Sequence, residues 1–175
     1  GFIKTKPISA LKFLSPGSVI MNRFHQLLDV ALDTHSGNPD LLHFAALHWM
    51  DMGQVEKARD ALAIVVANNP GSIDGHLDYI GVLFHLKEWE NVIKAGDEAA
   101  LAFPLEPIIY LYSGGGHKQL KAFETAIKHF ENGLSILIDL PITEARIYCE
   151  LAECYRELSK KEKSYEAFEK SLLIE

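Results

Sequence analysis

Cysteine is scarce in this 175-residue chain, and its two cysteines, Cys149 and Cys154, stand five residues apart on one expected helix. That spacing turns the thiols to different faces, where they cannot bridge each other. The chain is therefore not a small fold stapled by disulfides. Long apolar runs are missing too: none approaches the roughly 20 residues that a membrane-spanning helix needs, so no membrane insertion by this segment is expected. Positive charge is in deficit, with 17 Lys and Arg against 24 Asp and Glu, a formal net charge of -7 and a pI near 5.6. Affinity for a phosphate backbone comes from clustered Lys and Arg, and no nucleic-acid partner is expected.

Signatures of catalysis are equally wanting. No nucleophile elbow, paired-carboxylate motif or zincin signature occurs. The run Ser113-Gly114-Gly115-Gly116-His117-Lys118 is rich in glycine, yet no strand precedes it and the spacing of Gly and Lys is not that of a phosphate loop. Of eight histidines, the nearest pairings along the chain are His43 with His48 and His76 with Asp78. Zinc on a helix is better served by ligands four residues apart together with a third ligand and supporting hydrogen bonds. The expectation is no catalytic residue, no cofactor and no metal, and hence not an enzyme.

What the chain does have is periodicity. Residues 39–70, PDLLHFAALHWMDMGQVEKARDALAIVVANNP, form a helix-turn-helix pattern. Leu42, Ala45, Ala46 and Trp49 fall on one helical face, Gly53 breaks the chain, Ala58, Leu62 and Val65 fall on a second face, and Pro70 closes the unit. Pro70 and Pro104 are 34 residues apart, and the unit between them carries Tyr79, Leu83, Trp89, Val92 and Ala99 at core positions. Ile80 stands in it where a small residue is expected, and Gly96 where a bulky one is. A third unit from Pro107 has Tyr110, Gly114, Phe123, Ala126, Phe130 and Gly133, and a fourth from Ala145 has Tyr148, Leu151, Ala152, Tyr155, Ser164, Phe168 and Ser171.

This pattern resembles the tetratricopeptide repeat (TPR), whose bulky, small and aromatic positions recur every 34 residues. The expected fold is all-α: a right-handed α-solenoid, or superhelix, of antiparallel helix pairs. Residues 1–18 read as an irregular or truncated N-terminal segment, with Ile8, Leu11 and Phe13 as an apolar stripe stopped by Ser15-Pro16-Gly17. The TPR-like region is 19–175, with a half unit at 19–36 and units at 39–70, 73–104, 107–141 and 145–175. In the half unit, Phe24, Leu27, Leu28, Ala31 and Leu32 form the apolar stripe, with Ser18 or Asn22 as the cap. Gly1 is not preceded by methionine and no signal pattern follows, which reads as a cut within a longer protein.

The resemblance implies a non-catalytic protein-protein interaction scaffold that binds a peptide or helix of a partner in a concave groove lined by the first helices. Carried over by repeat position, groove residues would be His43, Leu47, Met50, Leu77, Asp78, Phe84, Leu111, Tyr112, Lys118, Arg146 and Glu153, and the neighbours Phe44 and Glu150 have similar positions. The clamp with which some family members hold a terminal carboxylate has no match at His43, Leu47, Asp78, Ile108 and Tyr112. The alternative is a structural spacer or self-association module, since the last helix carries uncapped apolar residues, Leu172 and Leu173. A narrower resemblance to long exported TPR proteins of Bacteroidetes-type bacteria implies an internal fragment of an envelope-associated parent, in the periplasm or envelope, with the cytoplasm as the alternative.

The repeat overruns once. Ala126 and Ser164 are 38 residues apart instead of 34, and the apolar run Ile136-Leu137-Ile138-Asp139-Leu140 precedes Pro141. The pattern predicts that the third unit's second helix runs on by about a turn, buries Leu137 and Leu140, and ends at Pro141, with Thr143 capping the next helix.

Overall fold

The computed structural model describes residues 18–174; the stripe and stop expected within residues 1–17 lie outside them. Among the described residues the secondary structure is nine α-helices without a strand. The chain divides into two compact units, Gly1–Gly75 and His76–Glu175.

The first unit contains α1 (Val19–Thr34), α2 (Pro39–Asp51) and α3 (Val55–Asn68). Each start of α1 and α2 has a cap that the sequence supplies. The Ser18 hydroxyl accepts the Met21 N–H at 3.2 Å. The Asn38 side chain accepts that of Leu41 at 2.9 Å, and Pro39 occupies the first turn, where its missing N–H costs nothing. Leu42, Ala45, Ala46 and Trp49 of α2 pack with Ala58, Ala61, Leu62 and Val65 of α3 in the core. The alanines keep two helices close while Trp49 fills the space beside them. On α1 the buried residues are Met21 and Leu28, whereas Leu27, expected in the stripe, is 57% exposed.

The second unit takes up α4 (Ile73–His85) from His76 on, then α5 (Trp89–Ala102), α6 (Pro107–Gln119), α7 (Phe123–Ile136), α8 (Pro141–Glu157) and α9 (Lys161–Leu173). Its core has two clusters. Ile80, Leu83, Val92, Ala95, Ala99 and Ile109 make one; Leu111, Ala126, Ile127, Phe130, Ile147, Leu151, Ala152, Cys154 and Ala167 make the other. Helix α6 stands between them, giving Ile109 to the first and Leu111 to the second. The three glycines of α6 explain how it fits. A Cβ at Gly114 would lie 2.5 Å from the Phe130 ring of α7, one at Gly115 would lie 2.7 Å from the Phe84 ring of α4, and one at Gly116 would lie 3.0 Å from Ile93 of α5. The glycine run is thus a buried stretch of helix, pressed on successive sides by three neighbouring helices. Gly96 has a similar role: the nearest atom to a Cβ there would be the Ser113 hydroxyl, so its smallness serves the α5–α6 crossing.

Successive turns repeat one conformation. Gly53 has φ 73°, and the left-handed region is occupied again by Lys87 (60°), Lys121 (61°) and Ser159 (57°). These are the residues just after α2, α4, α6 and α8, the first helices of the four repeats, and only the first repeat uses glycine there.

The overrun is resolved differently from its expectation. Helix α7 has 14 residues, like α3 and α5, and ends at Ile136. The four extra residues lengthen α8 at its start: it has 17 residues where α2, α4 and α6 have 13. Pro141 opens α8, as its fixed φ and missing N–H favour; it does not end α7. Thr143 lies inside α8, with Leu140 at the cap position. Leu137 does pack against the second cluster, but Leu140 is exposed.

Candidate partner-binding surface

In the first unit, His43, Leu47 and Met50 recur along α2 at four- and three-residue spacing, and all three are half-buried. Phe44 is engaged elsewhere. The Phe24 ring of α1 meets it edge-on at 6.2 Å between centroids.

In the second unit the positions separate into three kinds. Leu77, Phe84 and Tyr112 are half-buried and lean on the first core cluster. Phe84 stands edge-on to Trp89 at 5.1 Å and tilted against Tyr112 at 5.4 Å, so these aromatics form a wall that is partly structural. Leu111 is corrected outright. At 6% exposure it belongs to the second core cluster and presents nothing to a partner; on α6 it falls on the inner face, next to the glycines. Asp78 is half-buried on α4.

The third kind is polar and bridges two first helices. Helices α6 and α8 touch, and across that contact the Lys118 ammonium donates to Glu150 and, at 2.8 Å, to Glu153. Burial pulls the ammonium's pKa down, but the hydrogen bonds and charges of Glu150 and Glu153 outweigh it and the net shift is upward. An ion pair with both carboxylates holds a long side chain in place, with only 15% of it exposed. Arg146, one turn before Glu150 on α8, is exposed.

Beside it is a cleft of about 370 Å³ lined by Pro141, Ile142, Ala145, Arg146, Cys149, Glu150 and Ile174. The extra turn of α8 builds its mouth through Pro141 and Ile142. Of these residues the sequence reading singled out only Arg146 and Glu150 as partner-facing. The irregular 38-residue spacing was the available signal for the rest. In the second core cluster, burial pushes the Cys154 thiol up to about 11, which leaves it protonated and unreactive. Cys149 is exposed.

Two further clusters went unforeseen because each joins residues distant in sequence. His25 and His48 meet across α1 and α2, with 3.0 Å between their Nε2 atoms. His117 of α6 and His129 of α7 stack at 4.9 Å, and the Nδ1 atom of His129 is buried without a hydrogen-bond partner. Among the described residues no group of three or more His, Cys, Asp or Glu is arranged to hold a metal ion, and no helix is long and apolar enough to cross a membrane.

No family model and no curated protein matches the sequence. Solved structures do match the fold. A crystal structure of MamA is similar with a TM-score of 0.73 and 18% identity, covering 91% of this chain and 95% of that one. The structure described as "MamA AMB-1 P212121" gives 0.74 and 17% over 89% and 91%. That of the "MamA RS-1 ArsTM double mutant" gives 0.76 and 14% over 87% and 84%. MamA is a TPR-like, all-helical protein. At these identities the likeness bears on fold alone, and the fold is an all-α, TPR-like helical repeat. The narrower resemblance to exported Bacteroidetes-type chains finds no support among these neighbours.

Proposed function

We propose that the chain is a non-catalytic protein-interaction scaffold that receives a peptide or helix of a partner protein on the first helices of its repeats. The observation that carries this reading is the cleft on α8, closed by Ile174, beside the ion pair that joins α8 to α6. Arg146, Glu150 and the cleft residues Ile142 and Ala145 stand beside Lys118, which Glu150 and Glu153 hold in place. An open cleft with an apolar wall and a charged rim suits a short segment with one apolar anchor and a polar neighbour. In the first unit, half-buried His43, Leu47 and Met50 on α2 extend the same reading by repeat position. Because Leu77, Phe84 and Tyr112 lean on the core, they serve more to shape the surface than to supply its affinity.

Selection of displayed peptides against the whole chain tests the proposal. Selected peptides should lose at least tenfold in affinity on Arg146→Glu or Ile142→Asp and be indifferent to Glu98→Lys on α5, with circular dichroism verifying that each variant is folded. Peptides that bind equally to all variants would remove the α6–α8 surface from the reading.

A second reading, self-association, rests on α9, where Tyr165, Leu172 and Leu173 are all largely exposed. A contiguous apolar face of that kind commonly meets another protein surface. Light scattering separates the two readings: mass rising with concentration and returning to that of a monomer on Leu173→Glu supports self-association, and a monomer throughout rejects it.

A further inference from the structure

We propose that His25 and His48 form a two-histidine clamp for a borderline-soft divalent cation, Zn(II) or Cu(II), that staples α1 to α2. The two residues are 23 apart in sequence and on different helices, so no spacing rule along one helix finds them. Their Nε2 atoms are 3.0 Å apart. Two imidazole nitrogens on one tetrahedral zinc, each bonded at about 2.0–2.1 Å, are roughly 3.3 Å apart. The pair is therefore within a few tenths of an ångström of the separation that a shared ion requires. The rings are held rather than loose. Phe24 stands edge-on to His48 at 4.9 Å between centroids and tilted to His25 at 5.9 Å, and His48 is 7% exposed. His25 is only half-buried, which gives an ion a way in.

The chemistry agrees with the geometry. Metal ligation needs the neutral imidazole, the form in which one ring of the pair accepts from the other. Asp51, one turn beyond His48, contributes negative charge that offsets the cation's. Without metal, one ring donates its Nε2–H to the lone pair of the other. On binding, that proton moves through solvent to Nδ1 of the same ring, both Nε2 lone pairs face the ion, and neither ring changes charge. Two nitrogens with water in the remaining positions suit zinc or copper, whereas calcium and magnesium want oxygen ligands. An ion bound to the folded pair and not to the separated helices would stabilise the docking of α1.

Titration calorimetry of the whole chain with zinc chloride, repeated with copper(II), tests the clamp. One ion per chain should bind, weakened tenfold or more in both His25→Gln and His48→Gln and unchanged in His85→Gln, which removes an exposed histidine outside the pair. Since His48→Gln could loosen α1 by itself, nitrogen NMR of the unsubstituted protein provides a second readout. Zinc should shift the Nε2 resonances of His25 and His48 together and leave those of His117 and His129 in place. Zinc that binds as well to both variants, shifts other histidines instead, or does not bind in a saturable way overturns the clamp.

Discussion

At the scale of single residues, the turn after each first helix separates backbone cost from contact cost. Nothing lies within 4 Å of a Cβ placed on Gly53, and its φ is 73°. Gly53→Ala should therefore cost about 1 kcal/mol, the conformational penalty of a left-handed residue with a Cβ, and no packing change should accompany it. The converse holds where Lys121 and Ser159 already bear that penalty. Glycine there relieves about 1–2 kcal/mol of strain and loses about 0.5–1 kcal/mol to its own flexibility, so Lys121→Gly and Ser159→Gly should each raise stability by up to about 1.5 kcal/mol in urea melts. If both substitutions destabilise, the left-handed turns are not where the strain resides. The sequence displayed Gly53 because glycine advertises the conformation; Lys87, Lys121 and Ser159 adopt it in silence, and only the repeat spacing betrays them.

The glycines of α6 invert this logic. Alanine is the better helix former by about 1 kcal/mol, but a Cβ at Gly114 would meet three Phe130 ring atoms at 2.5–3.0 Å, and Phe130 is wholly buried. Overpacking of this kind typically costs about 1–3 kcal/mol. Less the helix-propensity gain, Gly114→Ala should be destabilising by up to about 2 kcal/mol, and Phe130→Leu in the same chain should recover part of the loss. Denaturant melts of the two single variants and the double variant measure the coupling; strict additivity would mean that the contact is not what keeps the glycine.

Among elements, the overrun shows where sequence reasoning reached its limit. The insertion itself was legible from the 38-residue interval, and its apolar character from Leu137 to Leu140. Its direction was not, because an apolar run before a proline reads equally well as the tail of one helix or the approach to the next. Pro141 belongs to the first turn of α8, where proline is favoured. Leu137 packs only in part against the second cluster, so Leu137→Ala should cost about 1–2 kcal/mol, below the roughly 2–5 kcal/mol of a fully buried leucine. Ile138→Ala, at a largely exposed side chain, should stay within about 0.5 kcal/mol. Equal effects from the two in thermal or denaturant unfolding would show that the connector has no inward side.

At the scale of the molecule, the repeat was legible because Leu42, Ala45, Ala46, Trp49, Ala58, Leu62 and their counterparts recur at fixed spacing, and a recurring pattern needs no tertiary knowledge. The surface was harder, since exposure depends on which neighbour covers a residue: Leu111 and Lys118 share a helix, yet one is core and the other pairs across to α8. The same dependence on neighbours sets a pH response. Burial, then His117, lowers the pKa of His129, and burial lowers that of His117; Asp97 opposes both shifts. A histidine whose folded pKa lies below its ordinary value near 6.5 stabilises the fold when neutral. That stability is present above about pH 6.5 and is lost as the pH falls through the lowered folded values. The second unit should therefore melt at a lower temperature at pH 5.5 than at pH 7.5. His129→Gln should flatten that slope, because it removes the imidazole whose Nδ1 is buried without a partner and spares His117 a charged neighbour. Melting curves with the same slope in both proteins would place the acid sensitivity elsewhere.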